Sequence, residues 1–226
     1  MSELPILHIA NKNYSSWSLR PWILMRVLGV PFEERLHSFN GPTAFTDFSP
    51  TGRVPCLHDG SLIVWDSLAI VEHLAESVPQ VWPVDRAARA WARSATAEMH
   101  SGFSALREQC SMSCGVRIRL HQIDAALGRD LARLDVLWAE GLDRFGGPFL
   151  AGDAFTAVDA FFAPVAFRVL TYGLELSPTA LDYAARLRGL PSMELWYRDG
   201  LAETIRDLPH DRDVVQWGVV TEDLRA

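Results

Sequence analysis

An α+β half followed by an all-helical half is the fold class this sequence predicts, on three observations. Residues 1–79 alternate strand and helix signals in the order β-α-β-α-β-β-α. A short stretch, Pro79-Gln80-Val81-Trp82-Pro83, carries two prolines at a shift of composition and predicts a linker over residues 80–85. From Arg86 to residue 226 almost every segment carries the helical period, enough for a bundle of five or six helices. The chain has 226 residues, 49% hydrophobic and 22% charged, so it can bury a core and is not disordered.

The first half begins with Leu4 to Ala10, a buried strand. Tyr14-Ser15-Ser16-Trp17-Ser18 reads as a loop and helix start, and Gly29 is a natural stop for that helix. Pro21 lies inside it and predicts a delay or kink, because proline brings no N–H. Pro31 to Ser38 reads as the second strand, Asn40-Gly41-Pro42 as a turn and Ala44 to Phe48 as a short helix. Val54 to His58 and Ser61 to Val64 form a hairpin across Asp59-Gly60. Asp66 to Ser77 is a helix with Leu68, Ile70, Val71 and Leu74 on its buried side.

The helical half divides into Arg86 to about Cys114, Ile118 to Phe145, Thr156 to Tyr172, Pro178 to Arg188 and Pro191 to Leu208. Thr156-Ala157-Val158-Asp159 reads as a capping box, with Asp159 reaching back to the N-cap N–H. Capping alone accounts for these residues, so they are read as structural.

Charge and cysteine usage exclude several functions. The net charge of −7 argues against a nucleic-acid binder held by phosphate contacts. Three cysteines, Cys56, Cys110 and Cys114, are an odd count. The start, Met1-Ser-Glu-Leu-Pro, lacks the basic residues of a signal peptide. Together these predict reduced thiols and a cytoplasmic protein. The apolar run Ile6 to Ala10 is too short to span a membrane. Cys56 is expected to face the core. Cys110 and Cys114 fall one helical turn apart on one face, but only His100 and His121 offer further ligands, so no metal site is expected.

The most telling stretch is Arg53-Val54-Pro55-Cys56-Leu57 followed by Asp66-Ser67-Leu68-Ala69-Ile70. Proline tolerates a cis peptide bond, and the residue before it is extended, so its backbone can pair with a peptide. Asp66 and Ser67 open a helix, and a helix N-terminus attracts anions. These residues read as a site for a small anionic peptide with a free amine.

At this point the residues carry a family resemblance. Ser49-Pro-Thr-Gly-Arg-Val-Pro-Cys-Leu resembles the "NP-x-G-x-VP-x-L" loop and strand of the cytosolic glutathione transferases. Asp66-Ser67-Leu68-Ala69-Ile70 resembles their "(E/D)S-x-AI" helix start, and Phe155-Thr156-Ala157-Val158-Asp159 their "(F/L)(S/T)-x-AD" capping motif. Three motifs in order cover nearly the whole chain. The resemblance implies a thioredoxin-like half, a helical half and a cytosolic homodimer. It also identifies the peptide as glutathione, a co-substrate whose sulfur is transferred to a small electrophile.

It further implies roles. Ser15-Ser16-Trp17-Ser18 is similar to the "SSCS-W-R" run of the zeta class, with Trp17 where that run has a cysteine. The match puts Ser15 in the position of the serine that hydrogen-bonds the thiolate, with Ser16 as the alternative and Tyr14 as a rival. Val54 would pair with the cysteinyl backbone, Pro55 would fix that edge in cis, Asp66 would meet the γ-glutamyl ammonium, Ser67 its carboxylate and Arg53 the glycyl carboxylate. The electrophile pocket would be lined by Trp17, Met99, Phe103 and Arg107. Apolar side chains there favour an apolar electrophile and Arg107 an anionic one. Two other functions fit the resemblance: a glutathione-dependent isomerase of an unsaturated keto acid, and a non-catalytic scaffold of the same fold.

Overall fold

The computed structural model describes residues 4–41 and 43–225. Pro42 of the expected turn and the first three residues, on which the signal-peptide reading rests, lie outside them.

The first half is a four-stranded mixed sheet of order β2-β1-β3-β4: β1 Ile6–Ala10, β2 Glu33–His37, β3 Cys56–Asp59 and β4 Leu62–Trp65. β1 and β2 are parallel, and β3 is antiparallel to both β1 and β4. Gly60, at φ +58°, makes the tight β3–β4 turn between paired Asp59 and Leu62, a conformation an L-residue resists. The two helices of this half are α1 Ser16–Val27 and α2 Ser67–Ala75. Leu7 and Ile9 of β1 pack into the core with Leu19 and Ile23 of α1 and Ile70 and Val71 of α2. His8 alternates to the opposite face, where it stacks on Phe48. Pro21 does not delay α1, which starts five residues before it and continues for six beyond.

The second half packs around α6 Ala157–Tyr172, buried almost along its whole length. The other helices are α3 Arg86–Ser101, α4 Ser104–Gln109, α5 Ala125–Phe145, α7 Pro178–Arg188, α8 Pro191–Ala202 and α9 Leu208–Trp217. Four expectations fail here. The single helix over Arg86 to Cys114 is broken, because Gly102 ends α3 and Phe103 turns left-handed at φ +52° before α4. Cys110 therefore caps α4 and Cys114 lies beyond it, so the two thiols share no helical face. Both are buried, which pushes the Cys110 thiol up to about 12 and that of Cys114 up as well. Val116–Leu120 is not helical but a strand, β5, antiparallel to a C-terminal strand, β6 Gly218–Asp223. The half is thus largely, not wholly, helical. Finally, α8 stops at Ala202, where Glu203 turns to extended backbone, and Asp207 caps a new helix, α9.

The capping box of α6 forms. Asp159, fully buried, accepts from the N–H of Thr156 at 2.9 Å and of Leu150 at 3.0 Å, and from the Tyr183 hydroxyl at 2.8 Å. Among the described residues no helix is long and apolar enough to cross a membrane.

Candidate active site

The chain between β1 and α1 is held from the helical half. Glu203, which ends α8, accepts the N–H of Lys12 at 2.6 Å and of Asn13 at 3.2 Å. Lys12 is buried between Glu34 and Asp199, at 2.6 and 2.8 Å, and its carbonyl accepts from Trp196 Nε1 at 2.8 Å. Asn13 donates to Ser113 Oγ and accepts from the Gly115 N–H. Gly200 allows this closeness, since a Cβ there would sit 3.1 Å from the Asn13 nitrogen. The result is a fixed platform for the two serines that follow.

Ser15 is the N-cap of α1, yet its side chain makes no capping hydrogen bond. Its hydroxyl donates to Ser18 Oγ at 2.7 Å, which in turn accepts the Ala10 N–H at 3.2 Å. Simple capping therefore does not account for Ser15. Ser16 Oγ makes no hydrogen bond among the described residues. Both serines line a cleft of about 550 Å³ between the halves, with Trp17, Arg53, Val54, Arg107, Arg168 and His210 among its walls. Tyr14 also lines it, but its hydroxyl is taken up by Asp211 and Arg225.

A second cavity, about 290 Å³, adjoins the first and shares Trp17, Arg53 and Val54 with it. Its other walls include Pro55, Asp66, Ser67 and His100. The Val54–Pro55 peptide is cis. Asp66 stands at φ +74°, a strained conformation for an L-residue of the kind found at functional sites. One of its carboxylate oxygens caps α2 by accepting the Leu68 N–H at 2.7 Å, and the other lies 3.4 Å from His100 Nε2. Ser67 Oγ is buried at the head of α2 with no hydrogen-bond partner among the described residues. Thus Arg53, Val54, Pro55, Asp66 and Ser67 share one cavity, and Ser15 and Ser16 line the next.

The pocket expected for the electrophile needs correcting. Trp17 and Arg107 line the cleft, but Met99 and Phe103 do not. Both are buried in the hydrophobic core, because the break after Ser101 turns Phe103 inward. The opposite wall is Ser111, Met112 and Arg168.

Three arginines gather here. Arg20, 1% exposed, lies with its guanidinium 4.0 Å from the Trp17 ring centre and 4.7 Å from that of Phe161, and its Nε and Nη1 have no hydrogen-bond partner among the described residues. Arg107 lies on Trp17 as well, at 5.4 Å. Arg168, 3% exposed, donates Nε to the Cys110 carbonyl but leaves Nη1 unpaired. Burial, with lesser repulsion among the cations, lowers the Arg20 pKa well below its usual value and brings Arg168 down to about 10. The sequence reading missed Arg20, Arg168 and His210. A signal existed for Arg168, the lone cation in a largely apolar helix.

Residues 14–77 match the family model of the glutathione S-transferase N-terminal domain. The chain is 26% identical over 189 residues to a probable maleylacetoacetate isomerase of Caenorhabditis elegans, covering 78% of this chain and 84% of the relative. It is 25% identical over 210 residues to glutathione S-transferase GstB of Escherichia coli K12, covering 83% and 89%. Among solved structures it resembles a glutathione transferase homologue from Burkholderia with bound glutathione, at TM-score 0.64 and 24% identity over 87% of this chain and 97% of that one. It also resembles a theta-class glutathione S-transferase from Xanthomonas axonopodis pv. citri with glutathione bound, at TM-score 0.63 and 24% identity over 91% and 100%. These likenesses fix the fold as that of the glutathione transferases.

Proposed function

On the match of residues 14–77 to the glutathione S-transferase N-terminal domain and the likeness to relatives of that family, we propose that the chain is a glutathione transferase that binds glutathione, holds its sulfur as a thiolate and transfers it to a small electrophile. The observation that carries this reading is the pair of adjoining cavities, one walled by Asp66, Ser67, Val54 and Arg53 and the other by Ser15 and Ser16. Glutathione as substrate fits the first. Its γ-glutamyl carboxylate would meet the α2 N-terminus and the unpaired Ser67 Oγ, and its ammonium would meet Asp66. The cysteinyl backbone would run along Val54 before cis Pro55, with Arg53 near the glycyl carboxylate. The sulfur would then reach the head of α1. There a serine hydroxyl, that of Ser15 or its neighbour Ser16, stabilises the anion together with the helix N-terminus.

Residues 1–79 act in this account as the glutathione-binding domain, residues 80–85 as the linker and residues 86–226 as the wall of the electrophile site. The protein works as a cytoplasmic homodimer without a metal. Immobilised glutathione should retain the folded protein, and conjugation of a model electrophile should depend on glutathione. Failure to bind would favour a non-catalytic scaffold.

A second reading has its own support. Arg107 and the unpaired Nη1 of Arg168 favour an electrophile that carries a carboxylate. An unsaturated keto acid is such a substrate, and the Caenorhabditis elegans relative is named for one. Turnover of maleylacetoacetate without net consumption of glutathione would establish this isomerase reading over the transferase one.

A further inference from the structure

The start of α9 holds a histidine more tightly than capping requires. Asp207, 3% exposed, caps the helix by accepting the His210 N–H at 3.2 Å. The same oxygen also engages the imidazole Nδ1 of His210 in a short contact, and the other accepts from Asn40 Nδ2 at 2.7 Å. The ring itself lies between two aromatic rings of the first half, Tyr14 at 5.2 Å and Phe39 at 4.6 Å between centres. With Nδ1 bound to a carboxylate, that nitrogen carries a proton and Nε2 is the basic one. Nε2 makes no hydrogen bond to any described residue, and His210 lines the same cleft as Ser15 and Ser16.

We propose that His210 is the proton-transfer residue of this site in glutathione addition to a carbon–carbon double bond conjugated to a carbonyl, and that Asp207 is its positioning residue. The inference rests on the glutathione-transferase reading. The S–H bond of glutathione breaks, its proton passes to Nε2 and the sulfur keeps the electron pair, stabilised by the serine hydroxyl. The sulfur then bonds to the β-carbon, the π pair moves toward the carbonyl, and the α-carbon takes the proton back from Nε2. Histidine ends neutral and no further reactant is needed. Addition uses the stored proton, whereas substitution would leave it on the ring. Other charged or titratable groups around the ring are Tyr14, Asp211 and Arg225 on its protein side and Arg53, Arg107, Arg168 and Asp213 around the cleft.

The test is glutathione addition to benzylideneacetone by wild type, His210→Ala, His210→Gln and Asp207→Asn. Both His210 variants should lose about a hundredfold in kcat, the usual worth of a general acid–base. Glutathione affinity, measured by titration, should stay within about twofold because this histidine acts on the chemical step. Imidazole in the buffer should restore His210→Ala with saturation, an effect that a packing role cannot produce. Asp207→Asn should lower kcat while leaving glutathione affinity within about twofold, since an amide no longer fixes Nδ1 as the protonated nitrogen. A His210→Ala enzyme with wild-type kcat, or one that imidazole fails to restore, overturns the histidine's role alone. Absence of any glutathione-dependent turnover by wild type overturns the transferase reading and this inference with it.

Discussion

Ser67 Oγ is buried at the head of α2 without a hydrogen-bond partner among the described residues. Such an orphan costs about 1–3 kcal/mol in the free protein, and a bound carboxylate would relieve it. Ser67→Ala should therefore weaken glutathione binding while leaving the melting temperature unchanged or raised. A variant that melts lower and binds as well as wild type would contradict this. Asp66→Ala should raise the glutathione Kd with little change in kcat, since in the proposed binding mode it would meet the amine end, far from the sulfur, in ground and transition states alike. Unaltered affinity in a titration would remove Asp66 from the site. That Val54, Pro55, Asp66 and Ser67 would come together was legible in the sequence because a helix cap and an X–Pro step have local signatures. The arginines were not. Arg20 and Arg168 look like ordinary surface cations until the fold buries them against Trp17, Phe161 and the Cys110 carbonyl.

Elements carry their own predictions. Asp159 satisfies Leu150, Thr156 and Tyr183 at the start of α6, so Asp159→Ala strands several buried donors at once. A loss of about 3 kcal/mol or more is expected, read as a fall in melting temperature, and an unchanged value would refute it. On β1, burial first and the neighbouring His58 and His37 next push His8 down to about 4. Its folded pKa lies below the unfolded value of 6.5, so the unfolded chain takes the proton first. Stability present above pH 6.5 is therefore lost as pH falls toward 4. Asp159 works the other way, because burial raises its carboxyl from 3.8 to about 6, and its penalty disappears on acidification over that window. A comparison of variants separates the two. His8→Phe, which keeps the stack on Phe48, should lose less stability than wild type between pH 6.5 and about 4. Equal losses would show that His8 is not the group responsible. The strand β5 had a legible signal that the sequence reading passed over: Val116, Ile118 and Leu120 alternate with Arg117 and Arg119. Its partner was hidden, since Leu120 pairs with Gly218 near the far end of the chain.

At the scale of the whole molecule, the order of halves was legible because it is written in the hydrophobic period, which changes from strand and helix alternation to helix alone near Pro79. The joint between halves was not, because Lys12, Glu203 and Trp196 meet only after both have folded. Ile63 and Trp65 leave an exposed apolar face on the edge strand β4. That face supports the proposed homodimer, for which light scattering should give the mass of two chains at micromolar concentration, and a single-chain mass would contradict it. The central claim is that this platform holds glutathione as a thiolate at the head of α1, and the ultraviolet absorbance of the bound thiolate, followed against pH, tests it most directly. Wild type should bring the thiol pKa below its free value of about 8.5. Ser15→Ala should raise it again by roughly 1–2 units, the worth of one hydrogen bond to an ion, and a shift in Ser16→Ala alone would move the role by one residue. A bound thiol that titrates as it does in water, in wild type and both variants, would contradict the account.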